Sequence, residues 1–137
     1  MWWIYALLSA LFASLTAILA KIGIKGVDTY LATAIRTLVI LVLVWSMVFY
    51  KHAEIGLGSL SRMNWTFLIL SGIATGLSWI FYFKALQIGK VSQVAPLDKA
   101  SVAITILLSV LFLGETLTIK TAIGALLIVG GTFVLIL

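Results

Sequence analysis

The sequence has no cysteine, one histidine, one proline and four acidic residues in a chain of 137. Without cysteine there is no disulfide, no thiolate nucleophile and no thiolate-ligated metal, and the redox compartment is left open. The lone His52 stands beside Lys51 with no carboxylates at ligand spacing, so it reads as a solvated loop residue and no metal is expected. Charge of either sign is scarce. Asp, Glu, Lys and Arg make up 9% of the residues, against roughly 25% in soluble domains. What fills the chain instead is apolar: 64% of residues are hydrophobic and the mean hydropathy is +1.27, which places it among integral membrane proteins. The net charge of +5 comes from nine basic residues scattered among apolar spans. They form no cluster, so nucleic acid is not an expected partner. No Ser/His pair, His-rich motif or acidic pair falls within the spans, which argues against an enzyme, and no cofactor is called for.

Five apolar runs are long enough to cross a hydrocarbon core of about 30 Å at about 1.5 Å per residue. The spacing predicts an all-α membrane fold in one domain over residues 1–137, with helices at about 2–20, 30–50, 65–88, 93–113 and 119–137. The first run has no basic segment ahead of it, so it reads as a span and not a secretory leader. Trp2, Trp3 and Tyr5 give it an interfacial anchor. Gly23 and Gly26 mark the turn to the second helix, and 51–64 reads as the longest loop. Ser92 is the expected cap of the fourth helix. Pro96 then falls in its first turn, where a missing N–H loses no helical bond and its role is structural.

Polar residues lie on shared faces in four of the five spans. The stripes are Ser9 and Thr16; Thr29, Thr33 and Arg36; Ser71, Thr75, Ser78 and Tyr82; and Asp98, Ser101, Thr105 and Ser109. The fifth span has no such stripe. Helices one to four are therefore expected to face a polar lumen and the fifth to pack. The competing reading is that Ser and Thr bond a carbonyl one turn back or ease helix packing.

Charges inside the spans narrow the choice, since an ionisable group at the bilayer centre costs at least roughly 2.5–3.5 kcal/mol. Arg36 lies six residues after Tyr30 and Lys99 six after Gln93, so both sit about 9 Å below the same face. Asp98 and Arg36 are expected at one level, either in the lumen or as a structural ion pair. Lys99, about 100° round the helix from Asp98, is expected to point elsewhere. These residues, with Thr75, Tyr82, Ser101 and Thr105, form the candidate site for an anionic or zwitterionic solute, or for proton exchange at Asp98. Gly124 and Gly131, seven apart on the fifth helix, are expected on a subunit seam.

Three segments carry a family resemblance: ALFASLTAILAKIGIKGVDTYLATAIRT (Ala10–Thr37), FKALQIGKVSQVAPLDKAS (Phe83–Ser101) and LFLGETLT (Leu111–Thr118). In this order over five spans, the chain resembles the single-domain, five-helix branch of the EamA proteins in the drug/metabolite transporter superfamily. Most members of that family have ten helices, as two five-helix repeats of opposite orientation around a central cavity. They export small metabolites or amino acids by alternating access. The resemblance implies one EamA-type repeat acting as half of a ten-helix homodimer. It also implies structural roles for Gly114 and Glu115 in the turn before the last helix. One departure concerns the four-helix multidrug exporters of the superfamily, which carry a first-helix glutamate for cation exchange. Trp2–Ala20 has no acidic residue, which weighs against proton-coupled efflux of cationic drugs.

A dimer also follows from the residues, because rocking transporters use two repeats and this chain contains no internal repeat. Lys51, Arg62 and Lys120 lie toward one membrane face, and Lys21, Lys25, Lys84 and Lys90 toward the other. That balance permits insertion in both orientations, and so an antiparallel pair in the cell membrane. Crediting Arg36 and Lys99 to their nearer face makes the balance three against six and favours one orientation. Two functions remain: a secondary transporter of a small polar solute, or a non-transporting subunit of another membrane protein.

Overall fold

A computed structural model describes residues 1–137. It is all-helical, with α1 at Trp2–Gly23, α2 at Thr29–Tyr50, a 3-10 turn at Ala53–Ser59, α3 at Arg62–Ile88, α4 at Val91–Lys99, α5 at Ser101–Leu113 and α6 at Ile119–Ile136. α4 and α5 together make one span, Val91–Leu113, so five apolar segments can cross a membrane. Very little of any span is buried. The buried share does not exceed 11%, and the hydrophobic core consists of Ala17, Ala20, Ile24, Ala32, Phe83 and Leu86. Water does not tolerate so much contiguous apolar surface, whereas lipid does. This is a multi-pass membrane protein.

Local chemistry sets the helix ends. The Asp28 carboxylate accepts from the N–H groups of Tyr30 (2.9 Å) and Leu31 (3.1 Å), satisfying two orphan donors at the start of α2. Ser61 does the same for α3: its hydroxyl oxygen accepts from the Asn64 N–H at 3.1 Å. α3 therefore starts at Arg62, three residues before the expected Trp65. Its 27 residues reach about 40 Å, longer than a hydrocarbon core of about 30 Å, so it tilts or projects. α5 ends at Gly114 with φ 68°, and the Glu115 N–H closes back on the Ser109 carbonyl at 3.3 Å. The Gly114 N–H also bonds the Ser109 carbonyl, so a left-handed glycine stops the helix with both closing N–H groups on one carbonyl. Thr118 then caps α6 by accepting from the Thr121 N–H at 3.2 Å.

The fourth span differs from the expected single helix. α4 begins at Val91 with Lys90 in the cap position, and no side chain caps it. Ser92 is thus inside the helix, and Pro96 is its sixth residue, past the first turn. Lacking an N–H, Pro96 leaves the Ser92 carbonyl without its helical donor. A second interruption follows: the Ala100 N–H bonds the Leu97 carbonyl at 3.0 Å, and the Ala103 N–H bonds the Ala100 carbonyl at 3.1 Å. Both are one residue tighter than α-helical. The Pro96 carbonyl, released by Ala100, accepts instead from the Thr132 hydroxyl at 3.2 Å. A side chain inserted into the helical ladder is a recognised cause of a kink, and here it comes from α6, which packs against both α4 and α5.

The chain divides into two compact units, Ala20–Gln87 and the pair of segments Met1–Leu19 and Ile88–Leu137. In the first, one amide holds the turn between α1 and α2. Gln87 Nε2 donates to the carbonyls of Val27 (2.7 Å) and Ile24 (3.4 Å), and the Thr29 hydroxyl donates to Gln87 Oε1 (2.7 Å). The Lys21 ammonium donates to the Leu86 carbonyl alongside. Gly26, at φ 71°, supplies the left-handed residue that this turn needs.

Candidate functional site

Arg36 sits on α2 with its guanidinium carbon 4.4 Å from the Phe83 ring centroid and 5.2 Å from that of Trp79. Trp79 and Phe83 are four apart on α3, so one helix face presents both rings. Phe83 is fully buried. Tyr82 lies within electrostatic reach of the same guanidinium. By helix rise, Arg36 is about 10 Å in from Thr29 at the start of α2, and Phe83 is about 8 Å in from Ile88 at the end of α3. Aromatic faces attract a cation most strongly where water is excluded. The rings therefore hold Arg36 in place without neutralising it. Neither carboxylate of this unit does so: Asp28 caps α2, and Glu54 lies 3.7 Å from His52 in the exposed turn.

Asp98 and Lys99 occupy the last turn of α4. The expectation that Lys99 points away is not met, because its ammonium lies 3.4 Å from Asp98 Oδ2. A flexible four-carbon stem spans the 100° step that separates neighbours on a helix. The pair stands where the fourth span breaks, between the negative end of α4, which favours Lys99, and the positive start of α5, which favours Asp98. Nine residues of α4 put this break about 13 Å along the span, close to mid-bilayer.

The hydroxyl stripes are mostly bonded to their own helices. Thr33 and Thr37 donate to the carbonyls of Thr29 and Thr33, both at 2.8 Å. Thr75 donates to Ser71 at 2.8 Å, Thr105 to Ser101 at 2.9 Å and Ser109 to Ile106 at 2.9 Å. Thr75 and Thr105 thus offer a solute an acceptor oxygen, while their protons are already engaged. An apolar groove of about 750 Å³ along α2, between Leu38 and Tyr50, is a poor place for a polar solute. Its Ser46 hydroxyl donates to the Val42 carbonyl at 2.7 Å, and its one other hydroxyl is that of Tyr50 at the far end. Around Gly124 and Gly131, the space a Cβ would take is open.

Trp79, Phe83, Gln87 and Thr132 were missed by marking polar stripes alone. The available signal for the first two was an aromatic pair four apart, whose distances from the end of α3 bracket that of Arg36 from the start of α2.

The model of the EamA-like transporter family matches residues 1–137. The chain belongs to that family. This EamA-like protein is 43% identical over 139 aligned residues to an uncharacterized transporter encoded in the cobO 3′ region of Sinorhizobium sp., covering 98% of this chain and 95% of that one. An uncharacterized protein of Methanocaldococcus jannaschii is 41% identical over 70 residues, 51% of each chain. No solved structure matches the EamA-like chain. Family and relative together make it a membrane transporter and point away from enzymatic chemistry.

Proposed function

We propose that this EamA-like chain is a secondary transporter that exports a small polar metabolite or amino-acid-like solute by alternating access, as an antiparallel homodimer. The observation that carries the reading is a charged residue, Arg36, fixed inside a span by aromatic faces with no acidic partner from its own unit. Such a residue is costly in lipid unless something else makes use of its charge. The break at Ala100 adds support, since interrupted helices near mid-bilayer mark solute sites in transporters. In this reading Arg36 and Asp98 each stand in or beside the path of an anionic or zwitterionic solute. Lys99, Tyr82, Ser101, Thr75 and Thr105 line its path, and Gly124 and Gly131 form the seam between copies.

Counterflow of a ¹⁴C-labelled amino-acid mixture in proteoliposomes tests the function. Wild-type protein exchanges at least one component, and Asp98→Asn, folded and reconstituted to the same level, exchanges none. Absence of counterflow by well-folded wild-type protein would leave the second reading, a membrane subunit that works only with another chain.

A further inference from the structure

We propose that the Arg36 guanidinium, backed by Phe83 and Trp79, is the docking point for a carboxylate group on a small soluble solute. The inference rests on the transporter reading and narrows its substrate class.

The donor inventory leads there. A guanidinium carries five N–H donors in a planar fork, and here the faces of two rings, 4.4 and 5.2 Å from its carbon, take up its charge while accepting no in-plane hydrogen bond. The nearby hydroxyls on α2 are spent on their own helix, at 2.8 Å each for Thr33 and Thr37. They cannot help a bound anion by donating. Asp28 and Glu54 are engaged at the ends of α2 and in the exposed turn. The edge of the fork is therefore the charged donor set that α2 offers at this depth. A planar, bidentate acceptor fits a planar fork, and carboxylate is such a group.

Position favours a soluble carboxylate over a lipid phosphate. The residue lies about 10 Å in from the start of α2, below the level where headgroups stand. Its guanidinium is held against two rings of α3 and does not snorkel outward. Arg36 is the arginine of choice here for a second reason: a lysine would keep the charge but lose the fork.

The test uses Trp79 as the reporter. The full chain with Trp2, Trp3, Trp45 and Trp65 changed to Phe leaves a single indole beside Arg36. In phosphatidylcholine nanodiscs, sodium lactate is titrated against its neutral isostere lactamide, with inorganic phosphate as a third probe. Lactate should change Trp79 emission saturably and lactamide should not. Arg36→Gln should abolish the response, and Arg36→Lys should weaken it roughly tenfold or more, as expected for loss of one charge-assisted bidentate pair. The Lys variant keeps the charge and so guards against a folding defect in the Gln variant. The proposal is overturned by an equal response to lactamide, by an undiminished response in either Arg36 variant, by phosphate acting where lactate does not, or by no response at all. Its failure can be told from failure of the transporter reading. Counterflow that persists in Arg36→Gln sinks this inference alone, whereas lactate binding without counterflow sinks only transport.

Discussion

Replacing Thr132 by valine removes one hydroxyl and almost no volume. In the native chain that hydroxyl shares its proton between the Ile128 carbonyl of its own helix at 2.8 Å and the Pro96 carbonyl at 3.2 Å. The longer contact lies beyond the usual O–H···O range of about 2.5–3.0 Å. Interhelical hydrogen bonds in membranes average about 0.6 kcal/mol and reach about 1.7, so a shared, long bond belongs in the lower half. If the Pro96 carbonyl were left orphaned, the loss would be about 1–3 kcal/mol. The Ala100 N–H is one residue out of register, however, and can swing back to fill the vacancy. The expected loss for Thr132→Val is therefore about 0.5–1 kcal/mol, with a straighter fourth span. Steric-trap unfolding in bicelles measures the first quantity. Hydrogen exchange measures the second, as slower exchange at Ala100 and Ala103 once α-helical bonding is restored. Thr132→Ser, which keeps the hydroxyl, should fall much closer to wild type. The account fails if the serine variant loses as much as the valine one, or if exchange at Ala100 speeds up.

Three further outcomes follow from the described geometry. Gln87→Leu removes the amide that binds Val27, Thr29 and Ile24; at a position water can reach, this should cost about 1 kcal/mol and raise amide exchange across residues 24–29. Gly114→Ala forces a side chain into the left-handed region at φ 68° and should cost about 1 kcal/mol, with Gly114→Asn milder; thermal unfolding of the two variants orders them. Ser59 lies exposed in the 3-10 turn of a chain without cysteine. Ser59→Cys should therefore react with an impermeant maleimide in intact cells to about half, the rest after lysis, if chains insert both ways. All-or-none labelling would rule out the antiparallel arrangement.

The five spans were legible because length and apolarity suffice to mark a helix that must satisfy its own backbone in lipid. The depth of Arg36 was legible for the same reason, as a count of residues from a helix end. What surrounds it was not. Trp79 and Phe83 belong to an apolar face, and a search for solute contacts among polar residues passes over the rings that hold a cation. The break in the fourth span was hidden differently. Pro96 looked harmless because Ser92 reads as a cap, and the interruption at Ala100 depends on a hydroxyl 36 residues further on. Lys99 was placed by helical angle alone, which fixes where a Cβ points and not where a long stem ends. The Gln87 contacts escaped for a related reason: an amide at a helix end has no periodic partner, and its acceptors lie in another turn.

Gln87 also orders events in time. Its three partners precede it by 58 to 63 residues, so at a synthesis rate of about 5–20 residues per second the turn between α1 and α2 waits about 3–12 s for it. During that interval the Ile24 and Val27 carbonyls and the Thr29 hydroxyl are without their Gln87 partner. Arrival of the end of α3 supplies the amide and completes the turn. A nascent chain halted before Gln87 would therefore expose an unfinished turn, a state that quality-control machinery could distinguish from the completed amino-terminal half.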